Sequence, residues 1–216
     1  MNTLPGISGS LFPSRYLMDG LRANVATPDG ARVERRRRQL ETWWEAAALA
    51  CGPATGLRAL FDVLALPLVG ALGFRTRDVS FERTRARVRL ESPGATPVGL
   101  VVLPWASHRS AAWRDVAGTA RAMGAHWCFL LAPPFFSLID ARGRAVRHSV
   151  DFTLPDVLGR DSFPRFWTIA RARAFDRPAD IDALVADAAQ FQDSVRADLQ
   201  DGVIDALSAL GAAVPD

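Results

Sequence analysis

Two short, continuously apolar segments separated by a helix-length stretch constrain the fold of this chain more than any other feature. Val98–Leu103 reads VGLVVL and His126–Ala132 reads HWCFLLA, a pattern typical of strands that are buried on both faces of a sheet. Ser110–Met123 between them has helical character, and Gly124 is its expected C-terminal cap. Two buried strands joined through a helix require a crossover and a parallel pair. The chain is therefore predicted to belong to the α/β class.

Further helices and strands are expected on both sides of this unit. Arg85–Glu91 alternates between charged and apolar residues, which indicates a strand with one solvated arginine face. Pro67 should kink or divide the helix that contains it. The remaining predicted elements are helices at Arg32–Ala50, Thr55–Leu72 and Ser162–Ala174, and a hairpin of Phe135–Asp140 with Ala145–Phe152.

The 216 residues divide by pattern into three segments. Residues 1–30 are rich in Gly, Pro, Ser and Asn and are expected to form an N-terminal arm that packs on the body. Residues 31–175 contain the α/β elements. Residues 176–216 are an acidic amphipathic connector whose apolar positions recur in steps of three and four. This connector is predicted to be one long helix that meets another domain or chain, or a helical hairpin broken near Gly202.

Charge is distributed unevenly along the chain. The net charge is +3, but residues 175–216 carry nine aspartates and two arginines, a charge of −7, which leaves +10 for the remainder. A basic body with an acidic end predicts a polyanionic partner for the body, or a charge match between the two parts of the chain. All 26 basic residues are arginine, so chemistry that requires a lysine, such as a Walker A loop or a Schiff base, is excluded.

The chain lacks the sequence features of a membrane or secreted protein. No apolar run between charges reaches the roughly 18–20 residues that a membrane span requires. The N-terminus has neither the basic nor the apolar region of a secretory signal. Cys51 and Cys128 lie in apolar contexts and are predicted to be buried free thiols. We therefore expect a cytoplasmic protein with no membrane partner.

The order of these elements resembles a known nuclease fold. A helix leading into ALGF, an alternating strand, a turn, an apolar strand, a helix and then RAMGAHWCFLLAPPFFSLIDARG are similar to the PD-(D/E)xK fold. The chain most resembles the nuclease-like N-terminal regions of restriction-modification enzymes, above all the type IIG enzymes that fuse an endonuclease to an adenine methyltransferase. The segments GSLFPSRYL and DFTLPDVLGRDSFPRFWTIARARAF are similar to the arm and to the stretch after the nuclease core in these enzymes.

The resemblance implies a restriction-endonuclease-like mixed central sheet flanked by helices, and a role in restriction-modification or phage defence. DNA would be the ligand, and a methyltransferase domain or subunit would dock through the C-terminal helix. Active members carry an Asp on the alternating strand and Glu/Asp-x-Lys at the end of the next, which hold Mg²⁺ and orient water. Here the acid position falls near Leu103 and the lysine position near Trp105. The nuclease centre is therefore expected to be lost.

Two alternatives to an inactive DNA-binding domain remain. The first is an active endonuclease with a rearranged centre, which would need Mg²⁺; otherwise no metal or cofactor is expected. The second is a structural domain that only docks a methyltransferase. The acids available to a rearranged centre are Glu45, Asp78, Glu82 and Glu91.

The candidate binding residues fall into two groups. Guanidinium groups suit phosphates, although a run of arginines at a helix start can also be a solvated face. The expected DNA-binding residues are Arg35, Arg36, Arg37, Arg38, Arg83, Arg85, Arg87 and Arg89. The expected partner-binding residues on the C-terminal stripe are Leu184, Phe191, Val195, Leu199 and Val203.

Overall fold

The fold is organised around one seven-stranded sheet. The computed structural model describes residues 4–21, 30–94, 96–143, 147–176 and 178–212, and the sheet is that of these residues. Its strands are β1 (Ile7–Gly9), β2 (Arg75–Phe81), β3 (Ala86–Glu91), β4 (Val98–Val102), β5 (Trp127–Ala132), β6 (Phe135–Asp140) and β7 (Ser149–Thr153). Across the sheet the order is β1-β7-β6-β5-β4-β3-β2.

Helices pack on both faces of the sheet, which gives the layered arrangement of an α/β protein. The α-helices of the described residues are α1 (Gly30–Ala50), α2 (Leu57–Leu60), α3 (Leu66–Ala71), α4 (Arg109–Ala122), α5 (Leu154–Val157), α6 (Phe163–Ala170) and α7 (Pro178–Ala212). A 3₁₀ turn at Ala172–Phe175 leads into α7, and π-helical turns occur at Tyr16–Gly20 and Phe61–Ala65. None of these helices has both the length and the apolar character that crossing a membrane requires.

The central pair is parallel, as the sequence predicts. β4 and β5 run from Val98 opposite Trp127 to Val102 opposite Leu131, and α4 connects them. The other neighbouring strands are antiparallel. Every residue of β4 and β5 is buried. The prediction of an α/β chain with a mixed central sheet flanked by helices is confirmed.

Each face of the sheet has its own core. On one face, phenylalanines from the sheet and α6 pack against α1, the N-terminal arm and the start of α7; the rings of Phe152 and Phe166 meet edge to face at 5.0 Å. On the other face, α4 covers Val101 and Leu130. Gly99 in β4 allows this close packing, because a Cβ there would lie 2.8 Å from Sγ of Cys128 and 3.6 Å from Cα of Ala120 in α4.

The predicted helix Thr55–Leu72 is interrupted just before Pro67. The Leu66 N–H donates to the carbonyl oxygen of Phe61, five residues earlier, and Pro67 then lies in the first turn of α3. A proline has no N–H to donate, so it is tolerated at the start of a helical segment. The predicted division at this proline is therefore observed as a π-helical turn.

The two ends of the chain attach differently to the sheet. In the arm, β1 pairs with β7 and places Phe12 and Tyr16 in the core; residues 1–3 and 22–29 of the predicted arm lie outside the described residues. α7 is a single helix of 35 residues, about 52 Å long at roughly 1.5 Å per residue. It continues through Gly202, so the predicted hairpin alternative is wrong. Residues 213–216 of the predicted connector lie outside the described residues.

Candidate functional site

The corner where β3 begins and β4 ends contains the positions at which the resemblance would require catalytic residues. Ala86 and Val102 are the last paired residues of these strands, so one step further the antiparallel register sets Arg85 opposite Leu103. Leu103 donates its N–H to the Leu131 carbonyl oxygen at 2.8 Å and packs on the α4 side of the sheet. At the predicted acid position the side chain is therefore an aliphatic group in apolar packing.

Trp105, at the predicted lysine position, belongs to the opposite core. It is partly buried, and its ring stacks on Trp44 of α1 with centroids 6.4 Å apart and an interplanar angle of 18°. Trp43 meets Trp44 edge to face at 6.1 Å. Residues 103 and 105 thus contact different cores, and neither side chain offers an oxygen ligand to a cation.

A guanidinium group joins the acids nearest to this corner. Arg85 Nε lies 3.0 Å from a Glu82 carboxylate oxygen, and its Nη1 lies 3.0 Å from Asp115 on α4. Arg87 also reaches Glu82, at 3.1 Å. These acids are therefore already neutralised by side chains of the protein itself, and a divalent cation would have to displace Arg85 to bind both of them.

The other acids named for a rearranged centre lie elsewhere. Glu45 is exposed on α1, and Asp78 is exposed in β2, where the ladder is irregular and its φ is 47°. Glu91 is at the opposite end of β3 from the corner and contacts Arg89 at 3.4 Å and Arg77 at 3.5 Å. Among the described residues, no group of three or more His, Cys, Asp or Glu side chains is arranged to hold a metal ion.

The arginine run of α1 is not a uniform basic surface. Arg37 is buried; it binds Glu34 and Glu41 at 2.9 Å each and donates to the Leu158 carbonyl oxygen at 3.1 Å. Arg38 also binds Glu34 at 2.9 Å but is 69% exposed. Hydrogen bonds from Arg37 and Arg38 lower the pKa of Glu34 from 4.5 to about 2. Arg37 therefore fixes α1 to the body.

The neighbours of Arg37 differ in availability. Arg35 is exposed, and Arg36, which is partly exposed, donates to Gln39 at 2.8 Å. In the β2–β3 connection, Arg83 is exposed as well. The hairpin from residue 75 to residue 91 carries six arginines and three acids, so it keeps an excess of positive charge despite its ion pairs.

The predicted partner-binding stripe of α7 divides into a covered half and a projecting half. Leu184 and Phe191 are partly buried against the chain's own core, and Phe191 meets the Tyr16 ring at 5.7 Å. Val195 is partly buried, whereas Leu199 is 66% exposed and Val203 is 58% exposed. The body therefore already uses the first part of the stripe.

Polar contacts that are not apparent from the sequence fix the covered half of α7. Tyr16 Oη donates to an Asp187 carboxylate oxygen at 2.7 Å, and Arg142 lies 3.0 Å from Asp182. In the sequence, the one sign of the Tyr16 contact is that this residue is the single tyrosine of the chain and lies among the apolar residues of the arm. The i, i+3 and i, i+4 spacing of Glu34, Arg37 and Arg38 would likewise have indicated ion pairs.

The chain matches no protein-family model, no curated protein and no solved structure.

Proposed function

We propose that this chain is a catalytically inactive domain of restriction-endonuclease-like fold that binds duplex DNA in a restriction-modification or related defence system. The elements behind the resemblance support this proposal, with the edge strand β2 added before the alternating strand: α2 and α3, the antiparallel β2, β3 and β4, the connecting helix α4, and β5 parallel to β4. The observation that carries the proposal is the corner of this unit, where Arg85 bridges Glu82 and Asp115 beside Leu103.

The chemistry of that corner supports the inactivity that we propose. Mg²⁺ requires several oxygen ligands in near-octahedral geometry, and the side chains of Leu103 and Trp105 supply none. Glu82 is already bound by two arginines and Asp115 by one. Arginine cannot take over the proton-transfer role of the missing lysine, because its guanidinium does not lose a proton at accessible pH.

DNA binding would use the exposed guanidinium groups. Arg35 and Arg38 on α1 and Arg83 beside the β2–β3 hairpin are exposed. Contacts from such groups to phosphates carry no sequence readout and weaken as salt is added. We place this activity in the cytoplasm, where the buried free thiols of Cys51 and Cys128 stay reduced.

Fluorescence anisotropy of an end-labelled duplex, titrated at several salt concentrations with Mg²⁺ present, tests this proposal when the same samples are run on a denaturing gel. We expect binding whose logarithmic affinity falls linearly with the logarithm of salt concentration, and intact DNA. Cleavage that EDTA abolishes would support the rearranged active centre instead. Absence of binding at low salt would overturn the DNA-binding role.

A second candidate function is a docking domain for a methyltransferase. Its support is the projecting half of α7, where Leu199 and Val203 are largely exposed. Reading the DNA that follows codon 216 would show whether a methyltransferase is encoded in frame or in the next gene. Co-purification of that methyltransferase with the wild-type chain, and its loss with Leu199→Asp, would support docking; equal recovery with both chains would contradict it.

A further inference from the structure

Arg171 differs from the other arginines that the structure describes as buried or partly buried. Each of those makes an ion pair or donates a side-chain hydrogen bond: Arg36, Arg37, Arg85, Arg87, Arg89, Arg147 and Arg165. Arg171 is partly buried, and its Nε is enclosed without a hydrogen-bond acceptor. Because burying an unpaired charge is unfavourable, a guanidinium group in this position requires an acceptor that no described side chain supplies.

The backbone around Arg171 is fixed by hydrogen bonds on both sides. Arg171 follows α6 and donates its N–H to the Trp167 carbonyl oxygen at 3.2 Å, and its own carbonyl oxygen accepts from the Ala174 N–H at 2.9 Å. The Ala172 N–H donates to the Leu72 carbonyl oxygen at 2.8 Å, which ties this segment to the residue after α3. The Arg171 side chain therefore starts from an ordered backbone, and a ligand that binds it does not have to order a loop.

Two further arginines lie close enough to Arg171 to act on its charge. Burial, and then the positive charges of Arg173 and Arg32, lower the pKa of the Arg171 guanidinium. Asp180 and Asp176 oppose this effect. Because Coulomb interactions weaken with distance and with screening, these groups lie in one neighbourhood. Arg32 and Arg173 are exposed, so this neighbourhood has three arginines against two aspartates and keeps an excess of positive charge.

A phosphate group fits the chemistry of this cluster. Its oxygens can accept hydrogen bonds from several guanidinium groups at once. Its negative charge would offset both the burial of Arg171 and the repulsion from Arg32 and Arg173. Arg32 also lies three and four residues before Arg35 and Arg36 on α1, and so on the same side of that helix. A phosphate at Arg171 would therefore adjoin the α1 arginines that we propose for DNA binding.

We propose that Arg171, together with Arg32 and Arg173, forms a phosphate-binding site whose ligand is a backbone phosphate of duplex DNA. This inference rests on the DNA-binding function proposed above, and it adds a partly buried contact to the exposed arginines already named. Arg171 binds the phosphate oxygens, and the two exposed arginines supply further positive charge. Free phosphate has the same chemistry, so the two possible sources of the phosphate are tested separately.

The first measurement uses the full chain and inorganic phosphate. Urea midpoints of the wild type, Arg171→Met and Arg160→Met are compared in phosphate and in chloride at equal ionic strength. Arg160 is exposed and precedes α6, so Arg160→Met is the matched control that removes the same charge at the other end of that helix. We expect phosphate to raise the midpoint of the wild type and of Arg160→Met by more than that of Arg171→Met. The general effect of phosphate on folding is common to all three proteins.

Stability without phosphate provides a second readout of the same variants. Arg171→Met should be no less stable than the wild type in chloride, because it removes a charge that burial disfavours and keeps a side chain of similar length. A clear fall in its midpoint would show that Arg171 stabilises the fold itself and would overturn the inference. An equal effect of phosphate on all three proteins would overturn it as well.

The source of the phosphate is tested with an end-labelled duplex. Arg171→Met should lower the slope of log affinity against log salt by about 0.9, and Arg160→Met should leave it unchanged. An unchanged slope in Arg171→Met, with the phosphate effect lost, would overturn duplex DNA as the ligand and assign the site to free phosphate. A wild type that binds no duplex but keeps the phosphate effect at Arg171 would contradict the proposed DNA-binding function and support the phosphate site.

Discussion

The arginines of this chain divide into those that hold the fold together and those that remain accessible to a ligand. Arg37 is buried and binds two glutamates and a carbonyl oxygen, and Arg85 bridges two carboxylates. Arg35 and Arg83 are exposed. A guanidinium group that binds a phosphate must give up the partners it already has, so the exposed groups should supply most of any DNA affinity.

Replacing Arg37 should destabilise the protein, whereas replacing Arg35 should not. Arg37→Ala removes the donor of Glu41 and of the Leu158 carbonyl oxygen, and it leaves Glu34 with Arg38 alone. We expect the free energy of unfolding to fall by about 1–3 kcal/mol, against less than about 0.5 kcal/mol for Arg35→Ala at the exposed site. Urea denaturation of both variants measures the difference. Equal stabilities would show that the Arg37 contacts contribute nothing net.

Glu34 should make stability depend on acid pH. Arg37 and Arg38 lower its folded-state pKa from 4.5 to about 2. Because the folded pKa is the lower one, the stabilisation is fully present above about pH 4.5 and is lost as the pH falls toward 2. The Glu34→Gln variant should therefore lose less stability across this range than the wild type. Urea midpoints measured at several pH values test this, and parallel curves for the two proteins would contradict it.

At the scale of elements, the sequence predicts the strands whose residues are all buried. It does not predict the edge strands, which form only because they pair with a neighbouring strand. β4 and β5 leave uninterrupted apolar runs because both of their faces are buried. β2 is absent from the prediction, because it is an edge strand whose residues are almost all exposed. β1 has three residues and exists only through pairing with β7, a contact between distant parts of the chain that local pattern does not contain.

The arm should control how firmly α7 is held. Tyr16→Phe removes the hydroxyl that donates to Asp187 but keeps the ring against Phe191. A hydrogen bond to a charged group contributes about 1.5–3 kcal/mol, so amide hydrogen exchange in residues 181–191 should become faster. Ser10→Ala is the matched control, since it removes an arm hydrogen bond to the Arg147 carbonyl oxygen, away from α7. Equal exchange in both variants would show that the tyrosine hydroxyl does not hold the helix.

At the scale of the whole molecule, the uneven charge along the sequence corresponds to an acidic helix, α7, beside a basic body. Residues 175–216 carry −7 and the remainder +10, and the described contacts between α7 and the body include Asp182 and Asp187, both in its first half. In the second half, Asp198 and Asp201 are exposed beyond that contact. A polyanion would thus be attracted to the body and repelled by the projecting helix, which would orient its approach.

The candidate site is predictable only where it depends on single positions. The lack of metal-binding side chains at Leu103 and Trp105, where the resemblance would place an acid and a lysine, is evident from the residue types alone. The ion pair between Arg85 and Asp115 cannot be predicted from the sequence, because the two residues are 30 positions apart. They meet only because α4 packs across the sheet. Ion pairs of this kind depend on topology, which the local pattern does not encode.

The salt dependence of DNA binding should identify which arginines bind phosphates. Removing one arginine that binds a phosphate lowers the slope of log affinity against log salt by about 0.9 on duplex DNA. Arg35→Ala and Arg83→Ala should each reduce that slope, and the double variant should reduce it by about twice as much if the sites act independently. Arg196→Ala is the matched control, because Arg196 is exposed on the acidic helix α7 and should leave the slope unchanged. A slope that falls equally in all three single variants would mean that affinity follows net charge alone, and that neither α1 nor the β2–β3 hairpin forms the DNA-binding surface.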